Sequence, residues 1–238
     1  MKACIYFLLL SLLIFITFNC EKNSISSSVK PDQVIWIENS SDSSLIEKGI
    51  DAIPEGDKIH LEWMPDQKDV VAFFHIYRSS VRQGPFSKII SIESATTFYD
   101  DPVPSKNVRY YYYVLAVSDD GVESTSSDTI NYKLVEKAQN LNPVGLCNAQ
   151  PVFQWRDPNH VYYYIIHVVD SETKNNIWIY TFQDSNFGDE NKSIAYNTDQ
   201  TASLDSLIKG KEYQWRIDIV GSEKNSGSES QWIPIQIQ

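Results

Sequence analysis

Four histidines, three cysteines and several acidic turns are the side chains with which this 238-residue chain could do covalent or metal chemistry. His60, His75, His160 and His167 could bind a metal or move protons. None stands at metal-ligand spacing from another His, a Cys or a Glu on a shared face. Asp119 and Asp120 could supply an acid and a base. Being adjacent they point differently, whereas glycoside hydrolysis needs two carboxylates flanking one bond. The acidic turns 118–121 and 184–190 offer oxygen ligands, but not in the order of a dedicated calcium loop. There is no Gly-rich phosphate loop and no G-x-S-x-G. Cys4 and Cys20 fall in an N-terminal apolar segment, which leaves Cys147 without a disulfide partner in the globular part. No basic neighbour in sequence activates it, so it reads as a small semi-buried hydrophobe. The sequence therefore predicts no metal, no cofactor and no enzyme. What remains is non-covalent chemistry, carried by aromatic side chains.

The strands that position those aromatics are legible from period-two alternation. Tyr110, Tyr112, Val114 and Ala116 form one apolar face, and Tyr213, Trp215, Ile217 and Ile219 repeat the pattern near the C-terminus. Each copy follows an apolar strand ending in Trp, Ile59–Trp63 in the first half and Val152–Trp155 in the second. The duplication predicts two domains, at about 49–135 and 143–238, joined by a short linker at 136–142. Strands are predicted at 50–53, 58–63, 71–79, 87–93, 96–99, 108–118 and 128–135, separated by Pro, Gly and Asp turns. Helix should be minor. The fold class is all-β: two tandem Greek-key sandwiches.

Trp63, Phe74-x-Ile76-Tyr77-Arg78-Ser79, Thr97–Asp100, Tyr110-x-Tyr-x-Val-x-Ala116 and Asp120-Gly121 together resemble a bacterial fibronectin type III domain. The resemblance implies that Trp63 lies in the core from strand B. It also implies that Tyr110 is a corner tyrosine whose hydroxyl bonds to backbone. Pro104 replaces the Leu expected six residues earlier, so that corner should be reshaped. Trp155, Tyr164-x-Ile166-x-Val168, Leu207, Tyr213–Ile219 and Ser230-Gln-Trp232 are similar to the same or a related immunoglobulin-like pattern.

If strands C and F are neighbours, as the resemblance implies, their outward residues merge. Phe73, His75 and Tyr77 would face out from C, and Tyr111, Tyr113 and Leu115 from F. These six form the candidate binding face. The corresponding F-strand places in the second half hold Gln214, Arg216 and Asp218, which read as a wet exterior. An aromatic patch on one domain calls for a cover or a partner. A cover from within the chain would be Val34-Ile-Trp36-Ile37, with Trp36 as its contact, or the second domain.

The formal net charge is −11. Nucleic acid is therefore not an expected partner, because phosphate contacts need clustered Lys and Arg. Lys2 followed by an apolar run of about a dozen residues fits an export signal and is short for a membrane span. That run ends at Thr17-Phe-Asn-Cys20 and turns abruptly polar. It resembles a bacterial lipoprotein signal, 1–19, with Cys20 as the lipid-carrying N-terminus and 20–48 as a Ser/Asn-rich tether. The resemblance implies a membrane anchor through lipid and a place in the cell envelope, the outer membrane ahead of the inner. The expected function is a non-catalytic envelope module for protein interaction or spacing. The alternative is a carbohydrate-binding surface lipoprotein that uses the aromatic face.

Overall fold

The computed structural model describes residues 29–64, 70–103, 105–161, 163–184 and 188–238. The expected signal peptide and Cys20 lie outside the described residues. Among the described residues there is no helix, and so none long and apolar enough to cross a membrane.

The first half contains β1 (Ile35–Trp36), β2 (Ile50–Ala52), β3 (Lys58–Met64), β4 (Val71–Ser79), β5 (Ser87–Glu93), β6 (Phe98–Pro102), β7 (Arg109–Ser118) and β8 (Ile130–Leu134). β3 is flanked by β6 on one side and by β1 and β2 in succession on the other. The facing sheet runs β5–β4–β7–β8. In strand letters this is A-B-E packed on C′-C-F-G, the fibronectin type III order that the sequence implied.

The second half contains β9 (Gln139–Asn142), β10 (Gly145–Cys147), β11 (Val152–Arg156), β12 (Tyr163–Asp170), β13 (Asn176–Gln183), β14 (Asn191–Ala195), β15 (Glu212–Val220), β16 (Ser226–Glu229) and β17 (Ile233–Ile237). β9–β11–β14 faces a sheet of β13–β12–β15–β17, with β10 added parallel to β17. Residues 139–142, between the two expected domains, pair as β9 with β11. The polar stretch 188–200 contains β14.

Alternation built both cores. Trp63, Phe74, Tyr112 and Val114 are 0% exposed in the first, as are Phe153, Tyr213, Trp215 and Ile217 in the second. Ser127 and Ser230 mark the repeat in detail. Each donates its N–H to the third core residue of strand F, Val114 or Ile217, and each accepts that residue's N–H on its hydroxyl. A side chain thus fills the ladder where the last strand leaves it. The tyrosine corners differ. In the second half the Ile208 N–H donates to the Tyr213 hydroxyl at 3.1 Å. The backbone bond expected of Tyr110 is not found among the described residues; its buried ring lies under the Arg78 guanidinium, 5.1 Å away. With Pro104 at the place of the expected Leu, the hydroxyl-bonding role in this half falls to Tyr112, which donates to Asp101 at 2.7 Å.

The two sandwiches share backbone. β16 pairs parallel with β8, Ser226 opposite Lys133 and Gly227 opposite Leu134, so the outer sheets are continuous through the junction. Gly227 permits the approach: a Cβ there would stand 2.7 Å from the Ile219 carbonyl and 3.1 Å from the Tyr132 hydroxyl. Glu223 bridges Arg109 at 3.0 Å and Lys133 at 2.7 Å. Lys137, in the linker, donates to the Ile53 and Pro54 carbonyls.

Candidate functional site

Antiparallel pairing of β4 with β7 sets His75 opposite Leu115, Tyr77 opposite Tyr113 and Ser79 opposite Tyr111. Phe74, Ile76, Tyr112 and Val114 point inward. The outward register therefore carries Phe73, His75, Tyr77, Tyr111, Tyr113 and Leu115 on one face. Phe73 is 43% exposed and His75, Tyr77, Tyr111 and Tyr113 are half-buried, but Leu115, expected at the surface, is buried.

The centre of the face is a ring stack. Tyr77 and Tyr113 lie parallel, with centroids 4.7 Å apart, and Phe86 tilts against Tyr113 at 5.0 Å. Such pairs contribute about 0.5–1.5 kcal/mol beyond area burial. Because the two tyrosines stack on each other across strands, each ring has one face covered by the other. Glu123 borders them, 3.4 Å from His75 Nδ1. Burial and the Glu123 charge raise the Tyr77 phenol above its ordinary range, and burial with Tyr77 and Glu123 does the same for Tyr113. Both therefore stay neutral hydrogen-bond donors at physiological pH. Tyr111 sits apart, in a shallow depression with Arg82, Gln83, Thr129 and Asn131. Sequence reasoning missed Phe86 and Glu123, which lie in turns outside the alternating strands. The Gly84-Pro85 turn before Phe86 was the available signal.

The cover predicted for this face is elsewhere. Val34 is buried in the core of the first sandwich, and β1 pairs with β3 in the opposite sheet. Trp36 meets Trp63 edge-on at 6.3 Å and donates its indole N–H to the Asp128 carbonyl at 2.7 Å. The reason is geometric: the segment continues strand A, and strand A lies on the sheet away from C and F.

The second outer face also departs from expectation. Arg216 and Asp218, read as wet, are 1% and 5% exposed. Residues 38–49 leave the A edge of the first sandwich as a loop, closed by Ser40 N–H to the Lys48 carbonyl, and lie over β15. This strap returns through Gly49, whose φ of 75° and close approach to Asn39 exclude a side chain. Its Glu47 accepts from Arg216 Nη1 at 3.1 Å. Asp218 accepts from Nη2 at 3.1 Å, Glu229 lies 2.9 Å from Nη1, and the Trp232 ring lies 5.0 Å from the guanidinium carbon. Burial opposes the Arg216 charge, but Asp218, Glu229 and Glu47 more than offset it. His167, 0% exposed, brings Nε2 to 2.8 Å from Asp218, an electrostatic approach without hydrogen-bond alignment.

Each histidine lies beside one carboxylate: His60 by Asp100, His75 by Glu123, His160 by Glu190 and His167 by Asp218. Among the described residues no three His, Cys, Asp or Glu side chains are grouped to hold a metal. Cys147 is half-buried, and burial raises its thiol pKa.

No family model matches the chain. A stretch of 78 residues is 40% identical to the amylopullulanase of Thermoanaerobacter thermohydrosulfuricus, covering 32% of this chain and 5% of that protein. A stretch of 76 residues is 41% identical to the amylopullulanase of Thermoanaerobacterium saccharolyticum, covering 32% of this chain and 6% of that protein. The chain thus spans about one-twentieth of the length of these curated relatives. Among solved structures, an Fn3-like protein from Clostridium thermocellum is 26% identical with a TM-score of 0.31, covering 35% of this chain and 82% of that one. The chicken CNTN1 FN1–FN3 domains are 13% identical with a TM-score of 0.38, covering 89% of this chain and 68% of theirs.

Proposed function

We propose that this chain is a non-catalytic recognition module of the bacterial cell envelope, exported and held at the outer membrane by lipid on Cys20. Its first sandwich engages a protein partner, and its second serves as a rigid spacer. The observation that carries this reading is the Tyr77–Tyr113–Phe86 stack, left without a cover among the described residues because residues 34–37 dock on the other sheet. Tyrosines with ordered rings, neutral hydroxyls and a flanking His–Glu pair supply large contact area at low entropy cost, as protein-binding surfaces do. A photo-crosslinking residue at Tyr111 in the native envelope should give one discrete protein adduct. The adduct should disappear in Tyr113→Ala, and a ladder of unspecific products in both chains would count against the proposal. Cys20→Ser should release the protein from the membrane fraction and abolish labelling by a fatty-acid analogue.

A glycan is the second reading, favoured by the local identity to proteins named amylopullulanases. It is tested by retardation in gels containing pullulan or amylopectin. Retardation with quenching of tyrosine and tryptophan emission, both lost in Tyr111→Ala, would move the assignment from protein to polysaccharide.

A further inference from the structure

The junction between the sandwiches contains more acids than cations. A crevice of about 340 Å³ opens between them, lined by Asp42 of the strap, Asp51 of β2, Tyr132 of β8, and Asp218, Glu223 and Glu229 of the second sandwich. Lys224 is the cation on its wall. Arg216 lies behind it, already engaged by Glu47, Asp218 and Glu229. Lys137 approaches from the linker, held by two carbonyls. Glu223 is neutralised separately by Lys133 and Arg109. Asp51 has no cation of its own among the described residues. Its Oδ1 accepts from the Ala52 N–H at 2.8 Å and the Tyr132 hydroxyl at 3.0 Å.

We propose that residues 38–49 act as a proton-coupled clasp: closure of the strap over the junction is linked to proton uptake by Asp51. The strap is then held closed in mildly acidic surroundings and released at neutral pH and above. Burial is the main force that pushes the Asp51 carboxyl up to about 6, and the strap acids Asp42 and Glu47 push it further, against the hydrogen bonds from Ala52 and Tyr132. Linkage is reciprocal: what the strap does to the proton on Asp51, that proton does to the strap. An unfolded aspartate titrates near 3.9, so the stabilisation is complete below about pH 4 and lost as pH rises through about 6. Burial and then Asp218 push the Glu229 carboxyl above the ordinary carboxylate range, while Arg216 at 2.9 Å pulls it back.

Hydrogen exchange on the full-length protein in detergent, from about pH 5 to about pH 8 and corrected for intrinsic rates, tests the clasp. Protection of the Ser40 and Lys48 amides, which are hydrogen-bonded within the strap, should fall about tenfold across that range. Asp51→Asn, a permanently neutral mimic, should keep protection high and flat. A flat wild-type profile, or an undiminished fall in Asp51→Asn, overturns the proposal. If Asp51→Asn does not fold, carboxyl NMR of the wild type decides. Titration of Asp51 near pH 6 in step with the loss of strap protection supports the clasp, and titration near pH 4, or out of step with that loss, overturns it.

Discussion

The outer faces of the two C′-C-F-G sheets occupy the same place in the same architecture and have opposite fates. On the first, aromatic rings remain at the surface around Tyr77 and Tyr113. On the second, an arginine and two carboxylates lie buried beneath a strap. Residue type alone would have assigned burial the other way round. The hydrophobic effect acts on whatever surface a neighbouring segment can reach, and reach is set by topology. The strap leaves the A edge beside the junction, so it reaches β15 of the second sandwich and not β4 and β7 of the first. A charge can be buried there because Glu47, Asp218, Glu229, the Ser44 carbonyl and the Trp232 face surround the guanidinium, with Nε 3.1 Å from Asp218 Oδ1 as an ion pair without hydrogen-bond alignment.

The sharpest way to break the comparison is Arg216→Ala. It strands Asp218 and Glu47 opposite each other without a cation and should cost about 3–5 kcal/mol in urea unfolding. A loss below about 1 kcal/mol would show that the cluster is solvated, as the sequence suggested. The cores should behave alike where the faces do not. Trp63→Ala and Trp155→Ala should each cost about 3–5 kcal/mol, even though neither indole N–H has a partner. A clear asymmetry between them would show that one sandwich leans on the other. Glu47→Gln should cost less, about 1–2 kcal/mol, because Arg216 keeps Asp218 and Glu229. It should also speed proteolytic cleavage within 38–49, and an unchanged cleavage rate would separate Glu47 from strap closure. The smallest effect on stability belongs to the open face. Tyr113→Ala should lower the unfolding free energy by about 1 kcal/mol or less while removing the crosslink through Tyr111. A loss as large as that of Arg216→Ala would mean that the face is core.

Strand alternation in the sequence was enough to identify the sandwiches, because a period of two with one apolar face has a single buried orientation. The expected strand 108–118 appears as Arg109–Ser118, and 87–93 as Ser87–Glu93. The same reasoning gives the alternation of β4 and β7 opposite to their core residues, though Leu115 on that register is buried. It failed at Phe86 and Glu123, which approach the face from turns and share no period with it.

The amino-acid sequence by itself determined the two cores, their duplication and the outward aromatic register, since each follows from local alternation along one strand. Only the tertiary structure decided which face would be covered. Docking of Val34 and Trp36, the path of the strap, the β8–β16 pairing and the burial of Arg216 all join residues far apart in the chain. Contacts of that kind depend on where a segment emerges in space, which no periodicity within the segment records.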